Sequence, residues 1–184
     1  MSADYSEKIL TVKDLEVQFN LRGQVLTAIR GISLDIYKGE SLAIVGESGS
    51  GKSVFTKTFM GMLDKNGKVT KGEILYNGMD LAKFSSEKDW LKIRGKEVAM
   101  VFQDPMTSLN PLKTVGKQIQ EALELHQNLH GRAAREKTIE ILSDVGISEP
   151  ERRYKQYPHE FSGGMRQRAV IATAIACNPN ILIC

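Results

Sequence analysis

The sequence predicts an α/β fold, and three observations carry that reading. Residues 9–45 read as β-rich, with apolar positions set among polar partners as in strands with one buried face. A continuously apolar run, Leu42-Ala43-Ile44-Val45, leads straight into a glycine-rich segment, Gly46–Gly51. After Pro111 the hydrophobic period changes from two to that of a helix.

The elements follow in order. Val12, Leu15, Val17 and Phe19, then Ile32, Leu34 and Ile36, mark strands, with turns at Gly23 and at Lys38-Gly39-Glu40. Ser41–Val45 is expected to be a strand buried on both faces, since it is apolar without alternation and ends in a glycine loop. A helix is expected from Gly51. Ile74-Leu75-Tyr76 before Asn77-Gly78, and Val98–Phe102 before Gln103, are two further strands. Val115, Ile119, Ala122, Leu123 and Leu125, then Ala133, Ile139, Ile141, Leu142 and Val145, recur at helical spacing, so residues 112–160 form a helical subregion. Gly146, Pro150 and Pro158 punctuate the approach to a last helix over residues 164–177, and Asn178-Pro179-Asn180 ends it. Ile181-Leu182-Ile183-Cys184 opens another buried strand.

Composition narrows the class. With 184 residues, 41% hydrophobic and 26% charged, the chain is long enough for a core and fits neither a disordered tail nor a coiled-coil rod. Lys and Arg exceed Asp and Glu by 25 to 22, too narrow a margin for a nucleic-acid footprint, and no nucleic-acid partner is expected. Cys177 and Cys184 form no CxxC pair, which argues against thiolate zinc and for a reducing compartment. The start, Met1 to Lys8, lacks the basic and apolar regions of a signal peptide, so a cytoplasmic location is expected. The longest nearly apolar run, residues 169–177, is about half of the ~20 residues a spanning helix needs, so membrane association would be peripheral.

Chemistry concentrates in two segments. Gly46-Glu47-Ser48-Gly49-Ser50-Gly51-Lys52-Ser53 fits the P-loop pattern G-x-x-x-x-G-K-[ST] in full, with Val54 continuing into the helix. The glycines let successive N–H groups face a phosphate, the helix start adds positive potential, Lys52 reaches the β- and γ-phosphates, and Ser53 offers a hydroxyl to Mg²⁺. The glycine order does not meet the dinucleotide pattern, so a nucleoside triphosphate is the expected ligand. The second segment, Phe161-Ser162-Gly163-Gly164-Met165-Arg166-Gln167-Arg168, places small residues at a helix start and repeats the logic of an anion site.

Together the two segments resemble the ATP-binding-cassette (ABC) ATPases, whose signature reads Leu-Ser-Gly-Gly-Gln. Ser162, Gly163 and Gly164 are kept, while Phe161 and Met165 depart from it. Residues 157–168 and 101–111 resemble the oligopeptide/dipeptide importer branch, and the likeness runs from about residue 9 to the end. It implies a P-loop NTPase core with an antiparallel β subdomain and a helical subdomain. One incomplete nucleotide-binding domain would cover 1–184: a β-rich P-loop core over 1–111, a helical part over 112–160, and the signature helix with a strand start over 161–184. It further implies that Gln103 contacts Mg²⁺ and the attacking water, that Phe19 stacks on adenine, and that Ser162, Gly163 and Gly164 bind ATP held by the P-loop of a second ATP-binding subunit.

The same likeness implies membrane-spanning permease subunits as partners, a peptide-binding protein indirectly, and a place on the cytoplasmic face of the membrane. The family's acidic residues follow the strand that Ile181–Cys184 opens, so the chain is expected to be a C-terminally truncated cassette that binds ATP without turning it over. No residue here is assigned as general base. Two other classes share parts of the pattern. A soluble ABC ATPase acting on nucleic acid or ribosomes would interrupt the interval from Ser53 to Ser162 with long arms. A P-loop small-molecule kinase would leave the second glycine site unexplained. His126 and His130 lack the glutamate of a zinc helix and carry no role, and Arg132, Arg135 and Lys137, with Glu136 and Glu140 interleaved, read as a solvated helix face.

Overall fold

The computed structural model describes residues 4–102, 104 and 108–184, arranged as two compact units, Met1–Lys92 and Ile93–Cys184. The first is built on a four-stranded antiparallel sheet of order β2-β1-β3-β4, from β1 (Asp4–Leu21), β2 (Gln24–Lys38), β3 (Gly67–Tyr76) and β4 (Met79–Asp80). Arg22-Gly23 and Asn77-Gly78 make the two-residue turns of its hairpins, all four residues at positive φ.

In β1 the buried side chains change parity. Leu10 and Val12 point inward, then Leu15 and Val17, which a strict alternation forbids. An inserted residue explains it: the pairing of β1 with β2 shifts register between Val12 and Leu15, the pairing with β3 shifts between Lys13 and Glu16, and Asp14 takes a positive φ of 45°. The Asp14 N–H donates to Ser33 Oγ at 2.8 Å across the irregularity. Opposite it, Gly72 has a φ of +88°, and a Cβ there would lie 2.4 Å from Lys13 O and 2.6 Å from Asp14 O. The bulge thus depends on a residue without a side chain at position 72.

The loop after β2 corrects one expectation. Residues 41–45 form no strand, and Leu42, Ile44 and Val45 are 46%, 40% and 91% exposed. A strand buried on both faces needs paired neighbours and covering layers. Among the described residues of its own unit, the one sheet is the antiparallel set above, in which residues 41–45 have no partner. Helix α1 (Lys52–Thr58) follows the loop and buries Phe55, whose ring meets that of buried Phe59, just past the helix end, edge to face at 4.9 Å, and the short α2 (Glu87–Trp90) comes later in the same unit.

Asp80 secures the far end of this sheet. Its Oδ1 accepts the N–H groups of Ile74 and Ala82, each at 3.1 Å, and its Oδ2 pairs with the Lys83 ammonium at 3.1 Å. Burial pushes the carboxyl up, but the Ile74 N–H, the Lys83 ammonium and the Ala82 N–H together hold it below the usual carboxylate range. A depressed folded-state pKa adds stability above the unfolded value, and that stability is lost as pH falls through the folded one. Asp80→Asn is therefore expected to weaken the first unit at neutral pH and to flatten its acid dependence. Urea unfolding read by Trp90 fluorescence, from neutral pH to pH ~3, checks this; a variant that tracks the wild type throughout contradicts it.

The second unit is helical. Its helices are α3 (Val115–Gln127), α4 (Gly131–Asp144), the short α5 (Pro150–Arg153) and α6 (Gly163–Ile175), and a parallel pair of strands, β5 (Val98–Met100) and β6 (Ile181–Ile183), completes it. The expected apolar positions Val115, Ile119, Leu123, Ile141 and Leu142 form one core with Phe161, Ala169 and Ala172, whereas Leu125 is 65% exposed. Helix α6 thus packs into the same core as α3 and α4. On the wet face of α4, Arg132 pairs with Glu136 at 2.7 Å and Lys137 with Glu140 at 2.8 Å, as a solvated i, i+3 and i, i+4 pattern should.

Candidate functional site: the glycine loop and the Ser162 turn

The loop before α1 folds around a cation. Lys52 Nζ donates to Gly46 O and Glu47 O, both at 2.7 Å, and lies 3.5 Å from Ser50 Oγ. The Ser50 N–H bonds Glu47 O at 3.2 Å, which closes a turn, and Gly49 and Gly51 stand at φ +82° and +93°. Gly51 is tightly seated: a Cβ there would come within 2.9 Å of Ile29 Cδ1 and 3.0 Å of Ala28 O, so β2 sets the position of the loop's last turn. Gly46–Ser50 and Ser53 are exposed, Lys52 and Val54 half-buried. The result is an open loop with its own ammonium inside it, able to trade carbonyl partners for anionic oxygens.

Phe19 belongs to the same unit and pairs through its backbone with Leu26 of β2, the strand whose Ala28 and Ile29 meet Gly51. Its ring rests on Gly67, where a Cβ would meet Phe19 Cε1 at 2.5 Å, and it lines a cleft of about 520 Å³ with Gln18, Asn20, Val25, Lys65, Asn66 and Lys68. No residue of Gly46–Val54 lines that cleft among the described residues.

In the second unit, Ser162 caps α6: its Oγ accepts the Met165 N–H at 3.3 Å. Gly163 and Gly164 are exposed, with open space where a Cβ would stand. Buried Phe161 anchors the chain just before the cap. Two residues to which the sequence assigned no role hold the turn. The Glu160 carboxylate accepts the Tyr157 N–H at 2.7 Å, and Arg166 Nε donates to Phe161 O at 3.1 Å. The three-residue spacing of Tyr157 and Glu160 around Pro158 is a capping signal that could have found the first of them. Gln103 lies outside the described residues.

The family model for ABC transporters matches residues 29–184, a span that holds both the loop and the Ser162 turn. The chain belongs to the ABC transporter family. Within that family it is 56% identical to the oligopeptide transport ATP-binding protein AmiE of Streptococcus pneumoniae, over 96% of this chain and 50% of that one. It is 53% identical to the dipeptide transport ATP-binding protein DppD of Bacillus subtilis, over 96% and 53% respectively. The chain thus spans about half the length of the curated relatives it matches. Among solved structures it superposes with a TM-score of 0.80 and 29% identity on a dimeric ATP-binding cassette in a post-hydrolysis state, bound to ADP and Pi, covering 94% of this chain and 72% of that one. The α/β ABC-ATPase fold expected from the sequence is the fold of these neighbours. Among the described residues no helix is long and apolar enough to cross a membrane.

Proposed function

We propose that this chain is the ATP-binding part of an ABC system that imports peptides, powered by ATP binding and hydrolysis. The reading rests on one observation above the rest: a single chain carries both a lysine-filled P-loop and an exposed Ser162-Gly163-Gly164 helix start. The names of its relatives support peptides as cargo rather than nucleic acid or a small-molecule phosphate acceptor.

In this reading Gly46–Val54 wrap the triphosphate with backbone N–H groups, and the Lys52 ammonium moves from the Gly46 and Glu47 carbonyls to phosphate oxygens. Ser53 and Gln103 would hold Mg²⁺, and the exposed hydroxyl of Ser53 at the first turn of α1 fits an oxygen-preferring cation. The metal supplies charge neutralisation between the phosphates. Phe19 offers its ring to the adenine. Ser162, Gly163 and Gly164 present a hydroxyl and unhindered N–H groups to the nucleotide of a second ATP-binding subunit, identical or homologous. Permease subunits would receive the resulting motion at the membrane's cytoplasmic face, and a peptide-binding protein would deliver cargo to them.

Ser162→Ala separates this role from a merely structural one. Loss of the cap costs about 1 kcal/mol, too little to unfold the chain. In cells whose full-length protein carries the change, peptide uptake is expected to fall at least tenfold while the protein accumulates normally. Uptake at the wild-type rate would overturn the assignment.

A further inference from the structure

The start of α3 and the approach to Ser162 are fastened to each other. The first amide groups of a helix have no partner within it, and an outside acceptor must satisfy them. Here the Val115 N–H donates to Gln156 O at 2.8 Å and the Gly116 N–H to Tyr154 O at 3.1 Å, so the 154–156 segment acts as a strap across the helix start. Thr114 contributes no side-chain cap. The strap fits so closely that a Cβ on Gly116 would stand 2.1 Å from Tyr154 Cδ2 and 2.6 Å from Tyr154 O. Tyr154 is 9% exposed; its hydroxyl bonds Gln120 Oε1, and the Arg135 guanidinium sits 5.4 Å from its ring centre.

Rigid connections continue on both sides. Toward residue 110, Gln118 Oε1 accepts the Asn110 N–H at 2.8 Å, and Gln118 Nε2 donates to Asn110 O and Lys113 O, both at 3.0 Å. This side chain replaces a strand partner for the loop that leads into α3. Toward Ser162, the Phe161 N–H bonds Pro158 O at 3.2 Å and the Glu160 carboxylate holds the Tyr157 N–H at 2.7 Å, so residues 157–161 form a hydrogen-bonded turn between the strap and the cap. A displacement at the start of α3 therefore reaches Ser162 through packed and hydrogen-bonded groups.

We propose that Gly116 and Tyr154 are positioning residues: by locking the 154–156 strap onto the start of α3, they hold the Ser162 turn in the place from which it acts. The proposal rests on the nucleotide role given to Ser162 above, and it names the residues outside the turn on which that role depends. Neither residue touches nucleotide in this account.

Amide hydrogen exchange on the chain itself decides the structural half. In Gly116→Ala and in Tyr154→Ala, exchange over residues 157–165 is expected to rise at least tenfold, with residues 138–142 of α4 within twofold of the wild type. Tyr154→Phe, which keeps the ring against Gly116, should restore most of the protection. Unchanged exchange at 157–165, or an equal rise in α4 that marks general loosening, would overturn the proposal. The catalytic half uses the full-length protein: Tyr154→Ala should lower kcat for ATP about tenfold with KM within twofold, and Tyr154→Phe should recover it. A KM effect equal to the kcat effect, or no recovery by Phe, would also overturn it. If Ser162→Ala leaves peptide uptake intact, the reading of Ser162 fails on its own measurement, while the exchange result still stands for or against the strap.

Discussion

Alanine at Lys52 is expected to cost the chain about 100-fold or more in Mg-ATP affinity, with little change in its stability. The ammonium makes two charge-assisted bonds to Gly46 O and Glu47 O. On binding it exchanges these neutral acceptors for anionic ones, and bonds to charged groups contribute about 1.5–3 kcal/mol each. Losing two of them accounts for at least two orders of magnitude, at about 1.4 kcal/mol per tenfold. Stability should stay within about 1 kcal/mol, because the two carbonyls sit in an exposed loop where water replaces the ammonium. Calorimetric titration beside urea unfolding reads both quantities. Equal affinity in the variant would remove Lys52 from the site, and a large loss of stability would make it a structural residue.

Alanine at Gly72 is expected to act in the opposite way, through the fold alone. A Cβ at this position meets the main-chain oxygens of Lys13 and Asp14 at 2.4 and 2.6 Å, and neither can swing aside as a side chain would. The residue also stands at φ +88°, which L side chains adopt at a cost of roughly 1–3 kcal/mol. Forcing extra atoms into a packed site adds another 1–3 kcal/mol or so, for a total of about 4 kcal/mol. Trp90, the chain's one tryptophan, is buried against Phe84 in the same unit and reports its unfolding. A clear drop in the urea midpoint is expected. An unchanged midpoint would mean that the β1 bulge rearranges freely around position 72.

The contrast between these positions shows what was legible in the sequence. The P-loop and the Ser162 cap are local devices: residue type and spacing fix them within one turn, so Lys52, Gly51 and Ser162 could be named from the string alone. Helices α3 and α4 declared themselves by period, and α6 by the breakers on either side of it. The bulge at Asp14 was visible only as an anomaly, since the step from Val12 to Leu15 already breaks the alternation of a strand. Residues 41–45 were misread because their apolar run carries no information about whether a sheet edge is available to receive it. The fastening of Gly116 to Tyr154 joins positions far apart in the chain, and no local pattern announces it. Arg166 is similar: its side chain folds back onto Phe161 O, a contact set by the helix start rather than by any motif.

The glycine loop is where we propose that this chain holds a nucleoside triphosphate. Hydrogen exchange with and without saturating Mg-ATP tests it most directly, because it locates the ligand as well as detecting it. Amides over residues 48–54 are expected to become strongly protected in the wild type and to stay unprotected in Lys52→Ala. Protection elsewhere with none at 48–54, or protection of 48–54 that survives the loss of Lys52, would contradict it.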